Sequence, residues 1–295
     1  MYRVHVATLL CVAACGDSLI GNKPVGGNVD TVAEIQRYLR RANLDLAGHV
    51  PSDADLAAST TRLVDAANTA AARETLVDEM IAKDAFGTVW IGELENGIFG
   101  GNTVETQYAL VCGLVRATAL DCMACTGTDS CACSCPEITP LATERAQLRT
   151  SPADFIAGTK SSTIERRYAA ARGYYVLAGS PEGRVMRLFD DFLARTAEPD
   201  ETENGRAMIF GSLLPGSPAG LMFHRYGASY DDLIDIIFDS EPYREAIVRR
   251  VFERYLARDP NPVELAHFVA TLDANEPDAR GLVRAVLSSR EYFDQ

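Results

Sequence analysis

The 295 residues are 47% apolar and 23% charged, a balance that folds rather than stays disordered. That length has room for two modest domains or one large helical one, with a real core. A net charge of −13 and a pI near 4.8 exclude a nucleic acid partner, because duplex binding needs Lys and Arg to displace counterions.

The chain starts "MYRVHVATLLCVAAC". Arg3 precedes an apolar run, Val6 to Ala14, that is too short to span a bilayer as a helix and reads as a secretory signal. Its end, "VAAC", resembles the bacterial lipobox, in which small residues precede a cysteine that takes lipid and becomes the mature N-terminus. Cys15 stands at that position, so residues 1–15 are expected to be a lipoprotein signal peptide and 16–29 a polar tether. The alternative is an ordinary signal cleaved nearby, with Cys15 uninvolved. The expected address is export, with membrane anchoring through the N-terminal lipid on the periplasmic or outer-membrane face.

Helical signals then follow one another. Val32, Ile35, Tyr38, Leu39, Ala42 and Leu46 recur at three- and four-residue steps, and Gly48 is placed to end that helix. Ser52 is an N-cap followed by acids in the first turn. Leu76, Val77, Met80 and Ile81 form another stripe, and Trp90 is expected as a core anchor. Ser151 with Pro152 and Ser180 with Pro181 open further helices, and "STIE" at 162–165 is a capping box that opens a long helix for Gly179 to close. "EPDETENG", 198–205, reads as an acidic linker, and no alternating run predicts a sheet. Towards the end, Ser240 and Asn261 cap helices of a compact four-helix set.

The expected fold is all-α, a multi-helical bundle in two helical units with a Cys-rich loop insertion. The expected organisation is an N-terminal helical unit at 30–120, the Cys-rich loop at 121–150, a central helical unit and linker at 151–225, and a C-terminal four-helix unit at 226–295. An internal echo runs through it. "YLRRANLDLAGHVPSDADLA" and "VFERYLARDPNPVELA" share a helix, a proline and a restarting helix. They are followed by "LVDEMIAKDAF" and "LVRAVLSSREYF", with "LIDIIFDSEPY" as a third half-copy. Duplication and convergence of helical hairpins both produce such a pattern.

"RRANLDLAGHVPSDADLA" with "LVDEMIAKDAFG", residues 40–87, resembles a helical domain of unknown function that accompanies secreted cytochromes of planctomycete type. "RYLARDPNPVELAHFV" and "AVLSSREYF" carry a resemblance of residues 230–295 to a second helical domain of unknown function, found in bacterial exported proteins and similar in pattern to phycobilisome linkers. These resemblances imply export, an all-helical fold and a link to envelope assemblies or electron transfer. They bring no catalytic residue.

Chemistry concentrates in "DCMACTGTDSCACSC", residues 121–135. Covalent haem attachment reads C-x-x-C-H, and here Thr126 stands where the histidine ligand belongs. Zinc sites usually show two separated cysteine pairs, and only Cys122 with Cys125 forms one. The alternating Cys131, Cys133 and Cys135 can instead wrap a soft ion, so a copper or zinc site on Cys122, Cys125, Cys131, Cys133 and Cys135 is the alternative. The favoured reading is a disulfide framework. Cys112, Cys122, Cys125, Cys131, Cys133 and Cys135 are an even number in an exported chain, with fifteen possible pairings. His49, His224 and His267 are far apart, and Asp190 with Asp191 reads as a solvated edge. The absence of nucleophile-elbow, phosphate-loop and zincin motifs leaves no catalytic residue. The expected function is a non-catalytic lipoprotein that needs no cofactor and serves as a binding or scaffold module with an envelope protein partner.

Overall fold

The computed structural model describes residues 30–125, 127–211 and 217–295. The expected signal peptide, the expected tether and Cys15 lie outside the described residues. The fold is all-α: the described residues form sixteen α-helices and one two-stranded hairpin. In order these are α1 (Val32–Ala47), α2 (Asp53–Asp65), α3 (Ala70–Ile81), α4 (Asp84–Ile98), α5 (Val104–Thr118), α6 (Ile138–Arg149), α7 (Ser151–Ile156) and α8 (Ser161–Ala170). Then come α9 (Arg172–Tyr175), α10 (Pro181–Leu188), α11 (Pro199–Phe210), β1 (Gly220–Met222), β2 (Arg225–Gly227), α12 (Tyr230–Phe238), α13 (Glu241–Leu256), α14 (Pro262–Thr271), α15 (Ala279–Ser288) and α16 (Arg290–Asp294).

Two compact units are present, and the chain passes between them inside α4, after Val89, inside α13, after Ala246, and again on either side of residues 273–277. The first unit joins α1–α3 to the C-terminal helices, with residues 247–272 and 278–295. The second holds residues 90–246 and 273–277.

The first unit forms because amphipathic stripes from both ends of the chain need one another. Ile35, Tyr38, Leu39, Leu63 and Val77 are buried together with Val251, Phe252, Val283, Val286 and Phe293. The Tyr38 ring lies 5.4 Å from that of Phe293, and Asp30 pairs with Arg290 at 2.7 Å. Arg258 carries bidentate contacts to two carboxylates, Glu264 at 2.8 Å on both arms and Glu291 at 2.6 Å on both arms.

The internal echo has a structural counterpart. α1 and α13 both end on left-handed residues, Gly48 with φ 73° and Ala257 with φ 52°. Each then passes a proline to an N-cap whose side chain accepts from the third helical residue. Asp55 N donates to Ser52 at 3.2 Å, and Glu264 N donates to Asn261 at 3.0 Å. The segments that follow, α3 and α15, pack against each other. The half-copy shares the corner that ends α15: Ser240 Oγ donates to Ile237 O and Ser289 Oγ to Val286 O, each at 2.6 Å. Both hydroxyls accept in turn, from Tyr243 N and Tyr292 N, each at 3.2 Å.

The second unit is built around buried aromatics, among them Phe99, Tyr108, Phe155, Tyr168, Phe189 and Phe192. Trp90 is half-buried and stacks on Phe155, with centroids 6.2 Å apart. Three expectations change here. The acidic run 198–205 is mostly helix, because Glu198 and Glu201 cap α11 and Arg195 neutralises Glu201 through two contacts, at 2.8 and 2.6 Å. The long helix expected to run to Gly179 breaks at Ala171, an extended residue after which the short α9 begins. A hairpin is also present, with Leu221 opposite Tyr226. Its turn residues, Phe223 and His224, have φ 47° and 63°, as the favoured two-residue hairpin turn requires. Three-residue strands without the usual Asn-Gly turn leave no sequence signal.

Candidate functional site

α5 starts at a cap in which Thr106 N donates to the Thr103 hydroxyl at 3.3 Å. Its buried face carries Tyr108, Val111 and Cys112. Beyond Ala119 the chain makes two short 3-10 turns, Leu120–Cys122 and Ser130–Ala132, before α6 begins. The stretch expected as a loop over 121–150 is therefore irregular only at its start, and helical from Ile138. Two devices pin it. Arg145 on α6 grips Asp129 at 3.1 and 3.0 Å, and Asp129 accepts from Cys131 N at 2.9 Å. The Arg145 guanidinium, followed by that backbone N–H, holds the Asp129 carboxyl below the usual range. Arg116 on α5 donates to Gly127 O at 3.0 Å, where the glycine takes φ 147°.

All six cysteines of this region are paired. Cys112 bonds Cys131, Cys122 bonds Cys135 and Cys125 bonds Cys133, with Cα separations of 5.2, 5.5 and 5.8 Å, in the usual range for disulfides. The Cys125–Cys133 loop is nested within that of Cys122–Cys135, and Cys112–Cys131 crosses both. Cys112, Cys122, Cys131 and Cys135 are buried, whereas Cys125 and Cys133 are half-buried. Cys131 Sγ lies 3.2 Å from Tyr108 O and Cys122 Sγ lies 3.3 Å from a Glu137 carboxylate oxygen. With the bridges closed these sulfurs carry no proton, so both are packing contacts.

Among the described residues, the grouping with ligand atoms close enough to share one ion is Cys122, Cys133 and Cys135, whose sulfurs lie within 4.8 Å of one another. That set overlaps the soft-metal alternative without Cys125 or Cys131. Oxidised sulfur is a poor ligand, so these three bind a soft cation only after the Cys122–Cys135 and Cys125–Cys133 bridges are reduced. The histidines do not join them. His49 and His224 are exposed, and His267 sits edge-on to Phe268 at 5.1 Å.

Sequence reasoning missed one polar cluster in the second unit. Residues 189–193 form a single π-turn at the end of α10, which leaves Asp190 exposed and turns Asp191 inward. Burial pushes the Asp191 carboxyl up, and the Asp190 charge adds to this, against Arg187 at 3.4 Å and the Tyr174 hydroxyl. Arg187 also covers the Tyr174 ring at 4.8 Å, and Arg184 covers Tyr175 at 4.4 Å. The only signal available was the adjacent Asp pair, whose 100° helical spacing hides a π-turn. Its interactions are internal to the fold.

No helix among the described residues is long and apolar enough to cross a membrane. No protein-family model, curated protein or solved structure matches the chain.

Proposed function

We propose that this protein is a non-catalytic, exported lipoprotein that serves as a binding or scaffold module of the bacterial cell envelope. One observation carries the reading: all six cysteines between 112 and 135 are used in three disulfides. A chain that commits every cysteine of a region to bridges suits an oxidising compartment, because cytosolic thiols are kept reduced. Crossing bridges also rigidify a short polar segment that buries too little apolar area to hold itself. The same region leaves Leu110, Leu114, Leu120 and Met123 exposed, apolar side chains that support partner binding. Anchoring through a lipid on Cys15 follows from the sequence around it.

Free-thiol counting on denatured, unreduced protein from the membrane fraction tests this reading. The six cysteines should yield no free thiol, and Cys15→Ser should move the protein to the soluble fraction. The clustering of the Cys122, Cys133 and Cys135 sulfurs favours a second reading, soft-metal binding. Five or six free thiols with stoichiometric copper or zinc would replace the scaffold reading with that one.

A further inference from the structure

We infer that the Cys125–Cys133 bridge is a thiol–disulfide exchange site for a dithiol reductant, and that Cys133 passes the exchange inward to the Cys122–Cys135 bridge. This rests on the disulfide reading above and is independent of the anchor.

The three bridges differ in what can reach them. An attacking thiolate must approach a bridge sulfur from outside, so access governs rate. Cys112 and Cys131 are 0% and 2% exposed, and Cys122 and Cys135 are 0% and 3% exposed. The remaining pair is half-buried and sits among exposed neighbours, Met123 and Ala124 on one side, Ala132 and Ser134 on the other. Arg116 and Arg145 hold Gly127 and Asp129, between the two cysteines of this least buried pair.

In the first step a thiolate of the dithiol attacks Cys125 or Cys133. A mixed disulfide forms, the Cys125–Cys133 bond breaks, and the other cysteine leaves as thiolate. The second thiol of the reductant resolves the mixed disulfide and departs as a cyclic or bridged disulfide. Two electrons and two protons have passed from the dithiol to Cys125 and Cys133. In the second step the Cys133 thiolate, within 4.8 Å of both Cys122 and Cys135 sulfurs, attacks one of them. A new bridge from Cys133 forms, one buried cysteine is released, and no net oxidation occurs. Cys112–Cys131 takes no part and keeps α5 clamped to the segment throughout.

Two measurements on the full chain decide this. Before any reductant, the free-thiol count mapped to peptides holding Cys112 to Cys135 reports on the disulfide reading alone. Graded dithiothreitol with iodoacetamide trapping and peptide mapping then reports the order of opening. Cys125 and Cys133 should be alkylated at reductant levels about tenfold below those that open Cys112–Cys131. Simultaneous opening of all three bridges overturns the exchange site. In Cys125→Ser, the one thiol freed among the cysteines of 112–135 should be found shared among Cys133, Cys122 and Cys135, and never on Cys112 or Cys131. A thiol confined to Cys133 overturns the inward step. Should that variant fail to fold, the partly reduced wild-type protein gives the same readout, because bridges from Cys133 to Cys122 or Cys135 appear in its peptide map only if the exchange runs.

Discussion

Arg73, on α3, donates from Nε to the carbonyl of Ser288, the last residue of α15, at 2.7 Å. The same guanidinium caps the Asn68 carbonyl at 2.6 Å and lies 5.6 Å from the centre of the Phe293 ring. The side chain is buried. One charged group thus satisfies backbone acceptors from both ends of the chain in the first unit. Arg73→Met keeps much of the packing but leaves two buried carbonyls unmet, and should cost about 2–4 kcal/mol in urea unfolding. Arg73→Lys should recover only part of this, since one ammonium lacks the planar fork that serves both carbonyls.

Glu264 is buried at the start of α14, and burial alone would raise its carboxyl. The Arg258 contacts, the Asn261 N–H and the Arg258 charge outweigh that and hold it below the usual range. A depressed carboxyl contributes stability that is present above its unfolded value and is lost as pH falls through the folded one. The wild-type unfolding midpoint should therefore fall steeply below about pH 4.5. Glu264→Gln should cost about 2 kcal/mol at pH 7 and flatten that acid limb. An acid limb of unchanged steepness in the variant would place the dependence elsewhere.

Where the sequence spoke clearly, it spoke through local chemistry. Ser52, Asn261 and Ser180 were readable as caps because a short polar side chain before an apolar stripe has one cheap use. The cysteine framework was readable from an even count of closely spaced cysteines. Its pairing was not, because the crossing of Cys112–Cys131 over the nested pairs is decided by how α5 and α6 pack. Assembly of the first unit from both chain ends also lay beyond local patterning. α3 and α15 are neighbours in space, and the distance between them along the chain carries no periodic signal. The π-turn at Asp191 and the hairpin at Phe223 each depart from the regular periods on which stripes are counted.

Asp191 gives the opposite pH sign. Its folded carboxyl is raised, chiefly by burial, so the folded state holds a proton that the unfolded chain releases earlier. Stability from this group is present at low pH and is lost as pH rises from the ordinary carboxylate value through the raised one. Asp191→Asn removes that loss, and Arg187 keeps its contacts with Ile98 O and the Tyr174 ring. The variant should be as stable as wild type near pH 3 and more stable at pH 7 by up to about 1 kcal/mol. A destabilised variant at pH 7 would show that the Arg187 ion pair outweighs desolvation here.

The three bridges should not be equal in stability either. Chain entropy favours the wider loop: sequence separations of 19 for Cys112–Cys131 and 8 for Cys125–Cys133 differ by about 0.8 kcal/mol. Burial adds to this difference. Removing the Cys112 and Cys131 sulfurs opens a buried void beside the Tyr108 carbonyl and frees α5 from the segment that follows it, whereas the outer pair is only half-buried. Replacing Cys112 and Cys131 together by Ala should cost about 3–5 kcal/mol, and replacing Cys125 and Cys133 together about 2 kcal/mol, in urea unfolding without reductant. The second double variant should also keep the other two bridges intact in a peptide map, because neither depends on the outer loop for its geometry. A difference of only about 0.8 kcal/mol between the two double variants would mean that the bridges stabilise only through the unfolded chain and that the burial of Cys112 contributes nothing further.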